Sequence, residues 1–355
     1  MSRSRSLAVI TAAALTAALA PAALASAAAP AKVDPAKAEH ERIVAYWTPE
    51  RMKAAKPRDF VRQKDGTFKL APTPKAETDA TTIQPNTGSA WIKGGSVLAR
   101  TGKVYFTLGT RGYVCSGAVA KEGGPTKNAV VLTAAHCVYD QAKYTPKRPN
   151  AGFASNWLFI PDFDTNPNLN TKSCSSATTT YGCWTAKALV VHKGFASQRS
   201  FTATATTYDF AFAVVGAGGT DGQTDVEAAV LGGYDVEING PENGSALSAF
   251  GYPAASPYGG TDLTYCSGPI TSDANNGGLT WAMPCNMTGG SSGGPWLSGV
   301  DGAGNGGVLT SLNSYGYSGI ANMYGPKFNG NTATLYTSAR AKAAGSSPLV
   351  SAVIG

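Results

Sequence analysis

Histidine is scarce in this chain: three residues in 355, namely His40, His136 and His192. Chemistry that needs an imidazole therefore has few to draw on. Charged residues are also sparse, at 14% of the sequence, yet disorder-scale composition does not extend beyond the first eighty or so residues. Six cysteines occur without a single C-x₂-C pair, so the usual framework of a structural zinc site is missing. No apolar run beyond the amino-terminal one reaches the length of a membrane span. Sustained helical periodicity is lacking after Trp91, and no repeat recurs at a fixed period. The net charge of +7 is unevenly placed. Residues 1–86 carry 13 Lys and Arg against 8 Asp and Glu, and residues 87–355 carry 16 against 14. The later part thus lacks the basic stripe that a nucleic-acid partner calls for.

What is present begins with a leader. Arg3 and Arg5 precede an Ala- and Leu-rich run from Leu7 to Leu24, then small residues such as Ala25-Ser26-Ala27. This reads as a secretory signal peptide over residues 1–28. Pro21 interrupts the run and no stop-transfer pattern follows, so a secreted, extracellular product with no membrane attachment after export is expected. Residues 29–86 shift to Lys, Arg, Glu, Pro and Ala without cysteine. Asp34-Pro35 forms an N-cap with proline at the first helical position, opening a helix to about Trp47; a second helical piece runs from Pro49 to Ala55. The segment is expected to be a partly helical propeptide that blocks the cleft or assists folding and is removed after export. A solvated linker is the alternative, and His40 within it reads as solvated.

From Trp91 onward come short β-type runs between Gly, Asn, Asp and Ser: Lys103–Leu108, Tyr113–Val119, Ala129–Thr133, Ala186–Val191 and Asp209–Val215, then Ala246–Phe250, Leu279–Met283, Gly307–Asn313 and Tyr317–Met323. Thr337–Ala344 is the one later helix candidate. Many strands at short intervals predict an all-β sandwich or barrel architecture.

Two segments carry chemistry. Ser292 sits in Gly289-Gly290-Ser291-Ser292-Gly293-Gly294-Pro295, and His136 in Thr133-Ala134-Ala135-His136-Cys137. A serine hydroxyl needs an adjacent base to become a nucleophile, and the glycines let the backbone turn and aim N–H groups at an oxyanion. Chain order selects among serine hydrolases. Gly290-Ser291-Ser292-Gly293-Gly294 fits G-x-S-x-G, but that elbow requires a histidine after the serine, and none follows Ser292. An Asp-His-Ser order needs an acid ahead of His136, yet Glu122 is the only acidic residue from Thr87 to Ala135. His, Asp, Ser is left. Nine aspartates lie between His136 and Ser292, and only Asp209 stands inside an apolar run, Tyr208-Asp209-Phe210-Ala211-Phe212. An Asp that orients an imidazole is buried, whereas most of the others sit among turn residues.

The two motifs resemble those of the chymotrypsin family of serine peptidases, an Ala-Ala-His-Cys run and a Gly-Asp-Ser-Gly-Gly-Pro run, and Asp209 resembles its Asp-Ile-Ala-Leu stretch. The resemblance implies two packed antiparallel Greek-key β-barrels with the cleft between them, over a peptidase domain at 87–355: a first barrel at about 87–218 and a second at about 219–355. Gly216 to Gly222 offers a crossover. The implied enzyme is a secreted serine endopeptidase acting on polypeptides through His136, Asp209 and Ser292 and an acyl-enzyme. The backbone N–H groups of Gly290 and Ser292 are its implied oxyanion hole. It needs no cofactor and no metal, and it reads as a monomer. Ser291 is the rival nucleophile, but Ser292 alone directly precedes Gly-Gly-Pro. Where many relatives place an Asp that pairs with a new amino terminus, this chain has Ser291. Bacterial glutamyl-endopeptidase-like members also lack an acid there. Asn286, with Ser311, Leu312 and Asn313, is implied to line the substrate pocket. No acid occurs from Ala274 to Val300, which suits a neutral or small-to-apolar preference. The resemblance pairs Cys115 with Cys137. Nearest-neighbour pairing then leaves Cys174 with Cys183 and Cys266 with Cys285. His192 is read as structural. Two other classes remain open, a catalytically inactive binding module on the same fold and a secreted esterase.

Overall fold

The computed structural model describes residues 34–71, 88–122, 128–164, 180–219 and 223–355. The expected signal peptide, the rest of the expected propeptide and Cys174 lie outside them. Helix α1 (Pro35–Tyr46) begins where Asp34 accepts from the Ala36 N–H at 2.9 Å, and α2 (Pro49–Ala54) begins at Thr48, which accepts from Arg51 at 3.3 Å. The first cap is the predicted one, and both helices begin where the sequence placed them. Three short strands follow that the sequence did not announce: β1 (Lys56–Pro57), β2 (Phe60–Arg62) and β3 (Phe68–Leu70).

After β4 (Ser89–Ala90) come β5 (Thr101–Leu108), β6 (Arg111–Ala120), β7 (Ala129–Thr133), β8 (Ser155–Pro161), β9 (Cys183–His192) and β10 (Ala211–Gly219). They pair antiparallel in the order β6-β5-β8-β9-β10-β7, and β7 pairs back onto β6, closing a six-stranded barrel. Val104, Phe106, Val130, Leu132, Val190 and Phe212 are fully buried there. The outer wall is covered too. Helix α1 packs on β8, β9 and β10, and a carboxy-terminal helix, Gly330–Ala343, packs on β7, β9 and β10. This double cover explains why Ala129–Thr133 is apolar and buried throughout, without alternation.

The second half contains β11 (Asp235–Val236), β12 (Ala246–Gly251), β13 (Thr264–Pro269), β14 (Thr271–Ser272), β15 (Thr280–Pro284), β16 (Pro295–Val300), β17 (Gly306–Leu312), β18 (Tyr315–Tyr317), β19 (Ile320–Pro326) and β20 (Ala352–Ile354). One sheet runs β11-β17-β16-β12-β13-β4 and another β14-β15-β19-β18-β2-β3, while β20 returns to pair with β9. The expected strand Tyr317–Met323 is instead a hairpin, β18–β19, turning at Ser318-Gly319 with Gly319 at φ +77°. Of the expected crossover, Gly216 to Gly222, residues 216–219 extend β10, with Gly218 and Gly219 opposite Trp184 and Cys183 of β9, and residues 220–222 lie outside the described residues.

The segment before β4 is seated on the rest. Trp47 is 1% exposed, donates its indole N–H to the Asn156 carbonyl at 2.6 Å and packs on Tyr105. His40 is not solvated as expected. It is half-buried, 3.2 Å from the Thr185 hydroxyl.

Candidate active site

His136 lies in a 3₁₀ turn directly after β7, Asp209 in the bend before β10, and Ser292 in the turn before β16. Two residues thus come from the first barrel and one from the second half. Disulfide Cys115–Cys137 ties β6 to the residue after His136, and Cys266–Cys285 is also formed. Cys183 is disulfide-bonded as well. Sulfurs locked as disulfide give the Cys115, His136, Cys137 cluster no thiolate to offer a metal.

The Asp209 carboxylate is wholly buried and met on both oxygens. Oδ1 accepts from the His136 backbone N–H at 2.9 Å; Oδ2 lies 2.8 Å from His136 Nδ1 and accepts from the Ser314 hydroxyl at 2.5 Å. Ser314 was missed from the sequence; its only signal was a hydroxyl just beyond an apolar strand. With Nδ1 engaged by a carboxylate, the proton sits on Nδ1 and Nε2 keeps its lone pair. Nε2 is buried and has no hydrogen-bond partner.

The turn at Ser292 is clamped from both sides. The Ser116 N–H donates to the Ser292 carbonyl at 2.7 Å, and the Ser116 hydroxyl to the Gly290 carbonyl at 2.8 Å. Gly290 adopts φ +102°, where a side chain would lie 2.8 Å from the Tyr252 carbonyl; only glycine fits both. The N–H groups of Gly290 and Ser292 donate to no other described residue. The Ser291 hydroxyl donates to the Thr288 carbonyl at 2.9 Å, whereas no such main-chain bond among the described residues holds the Ser292 hydroxyl.

A cavity of about 250 Å³ opens beside this turn, lined by Ala255, Asn286, Met287, Thr288, Gly316, Tyr317 and Met323 among others. Asn286 lines this cavity, its Oδ1 accepting from the Tyr258 hydroxyl at 2.5 Å and the Gly88 N–H at 3.0 Å. Ser311, Leu312 and Asn313 are not in the lining. Ser311 donates to the Pro326 carbonyl at 2.8 Å, Leu312 is core, and Asn313 supports the nucleophile turn, its amide donating to the carbonyls of Phe250 and Ser291. The wall is supplied a few residues later, by Gly316 and Tyr317.

The cleft is occupied by the chain's own early segment. The Ser292 hydroxyl donates to Asp59 Oδ1 at 2.5 Å. Burial pushes the Asp59 carboxyl above its ordinary range, opposed by the Ser292 hydrogen bond and by His136. Phe60 stacks on Phe201 at 4.1 Å and meets the edge of His136 at 5.5 Å. Arg58, also buried, donates to the carbonyls of His136 and Tyr139. His192 accepts from the Gly194 N–H and stacks on Tyr208 at 4.7 Å, a structural role as expected.

A profile of the trypsin-like peptidase domain matches residues 115–303. Among solved structures, a thermostable serine protease, AL20, from an extremophilic microorganism is 33% identical, covering 69% of this chain and 98% of its own at a TM-score of 0.55. The protease Anisep from Arthrobacter nicotinovorans is 36% identical, covering 69% and 96% at a TM-score of 0.54. No curated protein sequence matches the chain.

Proposed function

The chain belongs to the trypsin-like serine peptidase family, and on that premise we propose that Ser292, His136 and Asp209 carry its hydrolysis of polypeptides. Once Asp59 has left, the Ser292 oxygen attacks the scissile carbonyl while His136 Nε2 accepts its proton. Asp209 holds the tautomer and stabilises the imidazolium. The carbonyl oxygen, now an anion, is met by the Gly290 and Ser292 N–H groups. His136 then returns the proton to the departing amine, leaving an acyl-enzyme that water hydrolyses by the same steps in reverse.

The observation that carries this reading is the buried His136–Asp209 pair, 2.8 Å apart, with Nε2 unbonded. We read the enzyme as exported in precursor form. Disulfides Cys115–Cys137 and Cys266–Cys285 suit an oxidising compartment, and the stretch from Lys56 to Arg62 crosses the nucleophile as part of a propeptide would. No helix among the described residues is long and apolar enough to cross a membrane. The cavity walls of the second half hold no charged side chain, which supports cleavage after uncharged, small-to-medium residues.

Protein processed from culture medium is expected to digest casein and to prefer uncharged residues in a peptide library, and Ser292→Ala to be inert though secreted and folded. Wild-type turnover by Ser292→Ala would remove Ser292 from the role.

A further inference from the structure

Residues 56–62 thread the cleft in a single direction, and it is the wrong one for hydrolysis. β1 lies parallel to β6, with Lys56 opposite Tyr113 and Pro57 opposite Val114. Asp59 then meets Ser292. β2 lies parallel to β18, with Phe60 opposite Tyr315 and Arg62 opposite Tyr317. The segment therefore passes from the first-barrel edge, across the nucleophile, to the edge beside the cavity. A substrate must hold its acyl half over the Gly290 and Ser292 N–H groups and the cavity that β18 borders, while its amine half departs past His136 on the first-barrel side. From amino to carboxy end, such a peptide runs from β18 to β6. Residues 56–62 run the other way.

The chemistry at the crossing agrees. The group on the Ser292 oxygen is a side-chain carboxyl, and no main-chain carbonyl of the segment accepts from that hydroxyl. Attack on a carboxyl expels only water or hydroxide, and hydrolysis of the resulting ester returns the same acid. No main-chain bond breaks in that cycle. Neighbours fix the segment: the Arg58 bonds to His136 and Tyr139, the Phe60 stack on Phe201, and Pro57 seated so close to Gly289 that a methyl on that glycine would lie 2.7 Å from the proline Cβ.

We infer, resting on the peptidase reading above, that residues 56–62 are a reverse-threaded inhibitor rather than a slow substrate, with Asp59 as the group that withholds the Ser292 hydroxyl from His136. The cleft thus accepts peptide strands in either polarity, and an acidic side chain followed by an aromatic one is what it takes in reverse. The cut that frees the enzyme then lies outside Lys56 to Arg62.

The test uses the full-length secreted chain, wild type and Asp59→Ala, collected uncut, reacted with a fluorophosphonate and mapped by mass spectrometry. The wild-type precursor is expected to react at Ser292 at least tenfold more slowly than the processed form, Asp59→Ala at least tenfold faster than the wild-type precursor, and no new terminus to arise between Lys56 and Arg62. A terminus in that interval, or Asp59→Ala reacting at the wild-type precursor's rate, overturns the inference. If Asp59→Ala does not fold, polarity is read from Arg62→Cys with Tyr317→Cys. These residues are directly opposed partners across β2 and β18, a spacing that suits a disulfide, so a cross-link is expected, and its absence in folded precursor overturns the threading. A processed form that fails to react sinks the peptidase reading instead, while terminus mapping and the cross-link still report on polarity.

Discussion

Replacing Asp209 by Asn tests the electrostatic arrangement without changing its shape. Both carboxylate oxygens accept: Oδ1 from the His136 N–H, and Oδ2 from His136 Nδ1 and the Ser314 hydroxyl. An amide offers one acceptor and one two-proton donor. With its NH₂ toward the His136 backbone, two donors collide in a fully buried site; with its NH₂ toward Nδ1, the backbone bond survives and Ser314 can rotate to accept. The second orientation is therefore adopted, and it obliges Nδ1 to be the acceptor. The ring proton moves to Nε2, the atom that has to take the Ser292 proton. Loss of the correct tautomer in such triads lowers kcat by about 10⁴-fold, about 5 kcal/mol of barrier. Ser314→Ala, by contrast, removes one charge-assisted hydrogen bond of roughly 1.5 to 3 kcal/mol and leaves the tautomer intact, so a loss of about 10- to 150-fold is expected. The assay is kcat on a chromogenic peptide with the processed enzymes, with circular dichroism to verify the fold. Asp209→Asn within tenfold of wild type, or Ser314→Ala falling as far as Asp209→Asn, would refute the reasoning.

Three further outcomes follow from burial. Burial raises the Asp59 carboxyl while it is docked, with His136 and Asp209 the other charges acting on it. Docking therefore takes up a proton: it is strongest below the ordinary carboxylate range, about 4, and weakens as pH rises above it. Fluorophosphonate labelling of the precursor should rise with pH relative to the processed form, and Asp59→Asn should flatten the ratio; a flat wild-type ratio contradicts this. Glu122 is 4% exposed with neither carboxylate oxygen bonded, and burial, then Asp225 and Glu227, push it up to about 8. A raised carboxylate weakens the fold as pH climbs from its unfolded value toward 8, so the fall in Tm between pH 5 and pH 9 should be smaller in Glu122→Gln; equal falls would discount the site. Trp47→Ala leaves a large void between the early segment and the barrel, about 3 to 5 kcal/mol. Precursor labelling should accelerate at least tenfold, and an unchanged rate would mean that Trp47 does not anchor the segment.

Local chemistry was legible wherever it was written locally. Asp34-Pro35 announced the first helix because capping is decided within four residues. Ala129–Thr133 was readable from its apolar β-branched run. His136, Asp209 and Ser292 were singled out from motif and chain order, and the structure pairs the first two in a buried site. The reading failed where pairing is non-local. Lys56-Pro57-Arg58-Asp59-Phe60-Val61-Arg62 has no alternation to advertise a strand, and its order comes from edges offered by Tyr113 and Tyr315, far along the chain. The pocket wall was placed a few residues too early, at Ser311 to Asn313, because one strand's worth of core-facing residues precedes the residues that reach the cavity. Ser314 escaped notice since nothing in its neighbourhood shows that a carboxylate waits for it.

The most direct measurement is the site and dependence of the fluorophosphonate adduct on the processed enzyme. The account predicts a single adduct on Ser292, lost in His136→Ala and at least a thousandfold slower in Asp209→Asn. An adduct on Ser291, or labelling of Ser292 that persists at full rate without His136, would contradict it.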